Sequence, residues 1–405
     1  MKKCIVCKSK IKPFINFGRM PIANAFLKKN EVKNEYKFTL SVGFCKNCKM
    51  VQLLDQPKRE QMFHKNYSFF SSTSNYMIRH FETFFKEAQN LKKLNNNSFV
   101  VEIGCNDGIL LQNFNKAKIP CLGIEPSKNV AKKAKSKGLK VIEEFFDQKI
   151  AEQILKKHKK TDLIVSANVM CHIPYIHSIF KGVKKLLSND GTFIFEDPYL
   201  GEIIKKTSFD QIYDEHVFLF SAHSVKYIAN YHGLELVDVK KQVTHGGSMR
   251  YYISHQNVKK SIRVKKLLTL EKKLGLNKSK TFLKFESNIK KIKKDLMNLL
   301  KKLKSQNKKV VAYGATSKST TVTNYFGIDT SLVKCIFDNT PIKQNKLSPG
   351  KHIPVISYNK FRSSNPDYVL LFAWNHSKEI MDKEKKYMRG KRSWITYIPH
   401  VKIHK

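Results

Sequence analysis

Tyr213-Asp214-Glu215-His216 places a phenol, a carboxylate and an imidazole within four residues. Imidazole titrates near neutrality and is the natural general base. A nearby carboxylate orients it and supports the imidazolium, and a tyrosine hydroxyl donates to an oxyanion or relays a proton. On these four residues alone a chance Tyr-x-Glu-His with a structural histidine stays open. Downstream, Thr244-His245-Gly246-Gly247-Ser248-Met249-Arg250 sets a flexible glycine pair before a strand, either as a plain turn or as part of the same site.

The cysteines carry a different chemistry. Cys4 and Cys7 form one C-x-x-C, and Cys45 and Cys48 form another. Four thiolates in two knuckles suit a tetrahedral Zn²⁺, and the segment around them has little core of its own, so the metal would supply folding energy. A disulfide is disfavoured in a cytosolic chain. The expected site is structural, with no open coordination position. Cys105, Cys121, Cys171 and Cys335 stand alone and read as small buried apolar residues.

A third constellation is Glu102-x-Gly104-x-x-Asp107-Gly108, followed by an acid, Glu125, at the end of the next strand. Glycines let a turn approach a ligand at the C-terminal end of a strand, and an acid ending the second strand accepts ribose hydroxyls. The three-glycine dinucleotide fingerprint is absent. An acid beside the first strand, a Gly-rich turn and an acid ending the second strand together resemble the S-adenosylmethionine-dependent methyltransferases. That resemblance places Glu102 and Gly104 at the methionine end of the donor, Glu125 on the ribose, Phe145-Phe146-Asp147 beside the adenine and Ser166-Ala167-Asn168-Val169 beside the sulfonium.

These residues need a scaffold, and the apolar pattern supplies one. Strands are expected at Phe99–Ile103, Cys121–Glu125, Val141-Ile142, Asp162–Ser166 and Gly191–Glu196, with helices between them. That rhythm means an α/β fold with a doubly wound parallel sheet, closed by strands near 234–240 and 249–255. A helix is expected from Tyr76 to Leu94. Residues 258–308 are Lys-rich with Leu283, Ile289, Ile292, Leu296, Leu299, Leu300 and Leu303 at helical spacing, read as connecting helices with solvated lysine faces. From Lys309 a second strand–turn–helix begins, Val310 to Lys318, with further strands at 335–338 and 369–373. The chain therefore divides into a zinc-binding module (1–65), a methyltransferase domain (66–257), a helical connector (258–308) and a second Rossmann-like domain (309–405).

The 405 residues carry a net charge of +44, with 41% hydrophobic and 11% aromatic residues. That excludes a disordered chain. No membrane span and no secretory leader are expected, so the expected location is cytoplasmic. The charge comes from 68 Lys and only eight Arg, scattered through every segment. Arginine is the commoner tool for bidentate phosphate and base recognition, so the charge reads as bias rather than a nucleic-acid surface. A basic field still attracts an anionic substrate.

Taken in order, the C-x-x-C pairs, the Val101–Gly108 turn, Tyr213-x-Glu215-His216, His245-Gly246-Gly247-Ser248-x-Arg250 and Tyr313-Gly314-Ala315 resemble the zinc-containing C-methyltransferases of nucleotide-activated keto-deoxysugars. The resemblance covers essentially the whole chain. It implies methyl transfer from S-adenosylmethionine to a sugar carbon alpha to a ketone, commonly C-3 of a dTDP-4-keto sugar. It makes His216 the base, with Glu215 and Tyr213 orienting and polarising. It puts Glu102, Gly104, Asn106, Asp107, Gly108, Glu125, Phe146 and Asn168 on the donor. Tyr76, His80, His245, Arg250, Lys318 and Asn324 fall to the nucleotide-sugar substrate, with Tyr67 and Ser71 further contacts to sugar or donor. The amides of Ala315, Thr316 and Ser317 and the charge of Lys318 suit a diphosphate. Where the family carries Ala-Lys-Gly, this chain has Ser317-Lys318-Ser319. A monomer suffices for such an enzyme. The alternatives are a nucleic-acid methyltransferase or binding protein with a zinc ribbon, and a non-catalytic relative that binds the same ligands. Against the first, there is no aromatic-plus-Arg cluster; against the second, Glu102, Glu125, Tyr213, Glu215 and His216 are all intact.

Overall fold

The computed structural model describes residues 2–57, 71–73, 75–256 and 258–405; Tyr67 lies outside them. Each cysteine knuckle closes on a lysine in the left-handed region, Lys8 at φ 61° and Lys49 at φ 62°. In each the lysine amide donates to the first cysteine's carbonyl at 3.0 Å, so both loops turn their sulfurs the same way. The chain between them is a hairpin, Pro13–Pro21 antiparallel to Lys37–Phe44. The strand Val51–Leu53 extends this sheet, and the far edge is Phe218–Leu219. That edge strand begins two residues after His216, so the cysteine-bearing sheet anchors the Tyr213–His216 segment directly.

The first large sheet has seven strands in the order Leu234–Gln242, Ser248–His255, Leu187–Pro198, Thr161–Ala167, Val100–Ile103, Cys121–Ile124 and Val141–Ile142. Five run parallel; Ser248–His255 is antiparallel to both its neighbours. The interior strand Val100–Ile103 is buried throughout, as expected of a strand covered on both faces. Helices cover both faces, and the expected helix at Tyr76 is present as Asn75–Lys92. The second sheet has seven strands with Val310–Tyr313 at its centre, between Ile336–Asp338 and Tyr368–Leu371, all three parallel.

The helices of 258–308 divide between two cores. Val264 and Leu267 of Ile262–Lys273 pack with the first sheet. Ser279–Ser305 buries Phe282, Phe285, Ile289, Ile292, Leu296, Leu300 and Leu303 against the zinc-module hairpin and the second sheet. Leu283, expected on this apolar face, is 57% exposed, because the buried stripe runs through Phe282 and Phe285 instead. No helix among the described residues is long and apolar enough to cross a membrane.

Candidate active site

One cavity of about 340 Å³ opens where the C-terminal ends of the first sheet face the second domain. Its first lobe is built on the strand–turn after Val100–Ile103. Gly104 and Gly108 hold φ 70° and 79°, and Asn106 joins them at 48°. A Cβ on Gly104 would stand 2.4 Å from Val169, so only glycine fits there. Glu125 accepts from the amides of Asn106 (3.0 Å) and Ser127 (2.8 Å), which fixes its carboxylate across the turn. Glu102 is 3% exposed, and its Oε2 has no hydrogen-bond partner. Burial raises the Glu102 carboxyl well above the usual range, with Glu125 and Asp107 adding to the rise. A buried carboxylate oxygen with an unmet acceptor invites a cation such as an α-ammonium, and Glu125 suits a diol. Phe146, Asn168 and Val169 complete the lobe, whose donor set therefore fits an amino-acid-linked nucleoside.

The second lobe carries Tyr213, Glu215, His216 and His245. His216 Nδ1 lies 2.6 Å from the Gln211 carbonyl. A carbonyl only accepts, so Nδ1 holds the hydrogen and Nε2 offers its lone pair. That lone pair receives the Tyr213 hydroxyl at 2.7 Å. Burial, with His172 stacked 5.3 Å away, pushes the His216 pKa well below the ordinary value and keeps the ring neutral. Burial likewise holds His245 down to about 3, and its Nε2 is without a partner. The backbone of His245 sits at φ 53°, pinned by the Gln211 side chain on its carbonyl.

Tyr76 and Lys318 also line this cavity, as does Ser71. Five predicted residues lie behind its wall. Asp107 accepts from Ser72 and sits near Lys137. Gly108 packs under Leu139. His80 and Arg250 both bind Glu196, His80 at 2.8 Å and Arg250 through Nε (3.0 Å) and Nη2 (2.8 Å). Asn324 donates to the carbonyls of Thr320 and Pro349. The anion-facing amides also shift: Ala315 donates to Asp338 (2.7 Å) and Thr316 to the Gly314 carbonyl (2.9 Å). The first turn of Ser317–Phe326, capped by Thr316, remains.

Sequence reasoning missed Asn24, His172, Lys343 and His376, all of which line the cavity. Lys343 and Lys318 both have pKa values lowered by burial. Neither forms an ion pair among the described residues: Lys343 donates to the Ala315 carbonyl (2.8 Å) and Lys318 reaches Asn375 (3.4 Å). Two desolvated ammonium groups at a helix N-terminus make an anion site. No local signal marks Lys343 among so many lysines.

The four knuckle sulfurs lie within 4.8 Å of one another, with Cys4–Cys48 at 3.5 Å and Cys7–Cys45 at 3.4 Å. Tetrahedral Zn–S bonds of about 2.3 Å need sulfurs roughly 3.8 Å apart, so the donor set fits zinc.

Family models match the chain in three stretches: a zinc binding domain over 4–63, a methyltransferase domain over 75–239 and a C-methyltransferase C-terminal domain over 243–399. The C-methyltransferase NovU of Streptomyces niveus is 30% identical over 392 residues, 96% of this chain and 93% of that protein. Among solved structures, magnesium protoporphyrin IX methyltransferase of Synechocystis is 13% identical (TM-score 0.33), covering 45% of this chain and 79% of that one. The PH0226 protein of Pyrococcus horikoshii is 15% identical (TM-score 0.38), covering 47% of this chain and 95% of that one.

Proposed function

Since the chain belongs to the zinc-containing C-methyltransferase family, we propose that it methylates a carbon alpha to the ketone of a nucleotide-linked keto-deoxysugar, through an enolate. The observation that carries this reading is a single cavity running from Glu102 and Glu125, past Tyr213 and His216, to Lys318 and Lys343. The first pair of acids suits S-adenosylmethionine, which supplies an electrophilic methyl group when bound. The lysines at the other end suit a diphosphate.

Carbon becomes a nucleophile only after its proton leaves. The His216 lone pair already receives the Tyr213 hydroxyl. The phenol therefore takes the carbon-bound proton as it passes its own to Nε2. The resulting imidazolium keeps its Nδ1–H on the Gln211 carbonyl and balances the enolate charge. His245 Nε2 is placed to meet a sugar hydroxyl. Asp107, Gly108, His80, Arg250 and Asn324 act in this reading by supporting the walls. Cys4, Cys7, Cys45 and Cys48, none of which lines the cavity, would hold zinc as a structural clamp on the module that pairs with 218–219. Every group this reading uses comes from one chain, and a four-cysteine zinc site suits a cytoplasmic enzyme.

Isothermal titration with S-adenosylhomocysteine, then with dTDP, GDP and a short RNA, tests the reading. Binding of the homocysteine compound and of one nucleoside diphosphate is expected. RNA binding without diphosphate binding would overturn it.

A further inference from the structure

The loop Ile22-Ala23-Asn24 leaves the zinc-binding module's hairpin strand Pro13–Pro21 and enters the gap between the two large domains. On one side it hydrogen-bonds to the Tyr213–His216 segment. The Ala23 amide donates to Asp214 Oδ1 at 2.8 Å, and Asn24 Nδ2 donates to Glu215 Oε1 at 2.7 Å. On the other side the loop hydrogen-bonds to the helix Ser317–Phe326. Thr320 Oγ1 donates to the Ala23 carbonyl at 2.9 Å, and Ser317 Oγ donates to Asn24 Oδ1 at 3.0 Å. The amide's donor and acceptor ends thus face a carboxylate and a hydroxyl, and Asn24 itself lines the cavity. Glu215 is 3% exposed. A hydrogen bond to a buried carboxylate is worth more than one in water, so this amide helps hold the Glu215 Oε1 in place.

We propose that Asn24 is a positioning residue of the reaction, by which the zinc-binding module fixes Glu215 beside Tyr213 and His216 and registers it against the anion-binding helix. The inference rests on the methyltransferase reading above for its kinetic consequence, but its structural consequence stands apart from the substrate. Asparagine is suited to this place because one end must give a hydrogen and the other accept one. Alanine removes both bonds. Aspartate keeps the shape and sets a second carboxylate against Glu215. Among the described residues, the titratable groups that feel the charge of Glu215 include Asp214 and Tyr213 on its own segment, Cys171 after the strand Thr161–Ala167, and Lys343 from the second domain. Two carboxylates at hydrogen-bond distance share a proton. In Asn24→Asp that proton replaces the amide hydrogen at low pH and is lost as pH rises.

The test compares the full-length zinc-loaded wild type with Asn24→Ala and Asn24→Asp. Amide hydrogen exchange with S-adenosylhomocysteine bound should quicken across 211–217 in Asn24→Ala, while zinc content and homocysteine-compound affinity stay at wild-type values. On the sugar substrate, kcat should fall about 10- to 100-fold, the size of a lost hydrogen bond to a charge, with KM little changed. Asn24→Asp should keep activity at acid pH and lose it through an alkaline limb that the wild type lacks. Unchanged exchange over 211–217, or an Asn24→Asp pH profile that superimposes on the wild type, would overturn the proposal. Wild-type enzyme inert towards every keto-sugar nucleotide would overturn the substrate reading instead, and the exchange result would still decide the role of Asn24.

Discussion

At the scale of single residues, the proposed proton abstraction depends on a neutral His216. Burial and the neighbouring His172 hold its pKa well below 6.5. A group with a depressed pKa loses its base form only when pH falls through that lower value. The acid limb of kcat/KM should therefore lie below pH 6.5, where an exposed histidine would already have cut activity by half. His216→Ala should lower kcat by about 10²- to 10⁴-fold, the range of general-base catalysis, and leave S-adenosylhomocysteine affinity unchanged. A His216→Ala variant with near wild-type turnover would remove the base assignment. Residue chemistry was also the most legible part of the sequence. Tyr213, Glu215 and His216 fall within four residues, and Glu102 and Glu125 lie at the ends of neighbouring strands, so local order marked them as candidates and the family resemblance gave them roles. Asn24 and Lys343 were illegible for the opposite reason: each reaches the cavity from a distant segment, and nothing around it in sequence marks its type as special.

At the scale of elements, a buried carboxylate ties three of them together. Glu196, on the strand Leu187–Pro198, holds His80 on the helix Asn75–Lys92, Thr244 at the start of the His245 turn, and Arg250 on the antiparallel strand. Arg250 continues to Glu87 and lies 3.7 Å over the Phe84 ring. Burial alone would raise the Glu196 pKa, but His80 and Arg250 overcome it and hold it at about 2. A carboxylate with a depressed folded pKa stabilises the fold above its unfolded value, and that contribution is lost as pH falls from the normal carboxyl range towards 2. Acid titration followed by circular dichroism should show a loss of stability in that interval, and Glu196→Gln should flatten it. Arg250→Ala leaves the carboxylate buried and unpaired and should cost about 3–5 kcal/mol by denaturant melting. His80 and Arg250 were read from sequence as substrate contacts. The motif positions were visible, but whether a side chain points into the cavity or behind it depends on Glu196, whose role only the packed sheet reveals. The zinc knuckles belong at this scale too. One zinc per chain is expected by elemental analysis, and Cys45→Ser should lose the metal and lower the melting temperature, since the site ties together the two knuckles that flank the hairpin.

At the scale of the whole molecule, the cavity exists only because three bodies meet. The first sheet supplies the acid-lined lobe, the second domain supplies Lys318 and Lys343, and the zinc-binding module supplies Asn24 and the sheet edge for 218–219. Asp210 binds the Trp374 indole and the Tyr397 hydroxyl, each at 2.6 Å, one residue before the carbonyl that holds His216. The alternation of strands and helices revealed both sheets from sequence, because each strand declares its own burial. Their mutual docking was not legible, since interface residues such as Asp210 and Trp374 carry no periodicity. The +44 charge also acts at this scale. A basic field speeds encounter with an anionic substrate and is screened over about 8–10 Å at physiological salt. The apparent KM for a nucleotide sugar should therefore rise with added salt, while kcat stays constant.

In the proposed reaction an enolate forms on a sugar carbon beside a ketone. Its most direct test is incubation of the enzyme with a nucleotide-linked 4-keto-deoxysugar in D₂O, with S-adenosylhomocysteine in place of the methyl donor, followed by nuclear magnetic resonance of the sugar. Deuterium should enter at the carbon alpha to the ketone with wild-type enzyme and fail to enter with His216→Ala. Adding S-adenosylmethionine should then place a methyl group on that same carbon. Methylation at an oxygen, or methyl transfer without any enzyme-dependent loss of the alpha proton, would contradict the account.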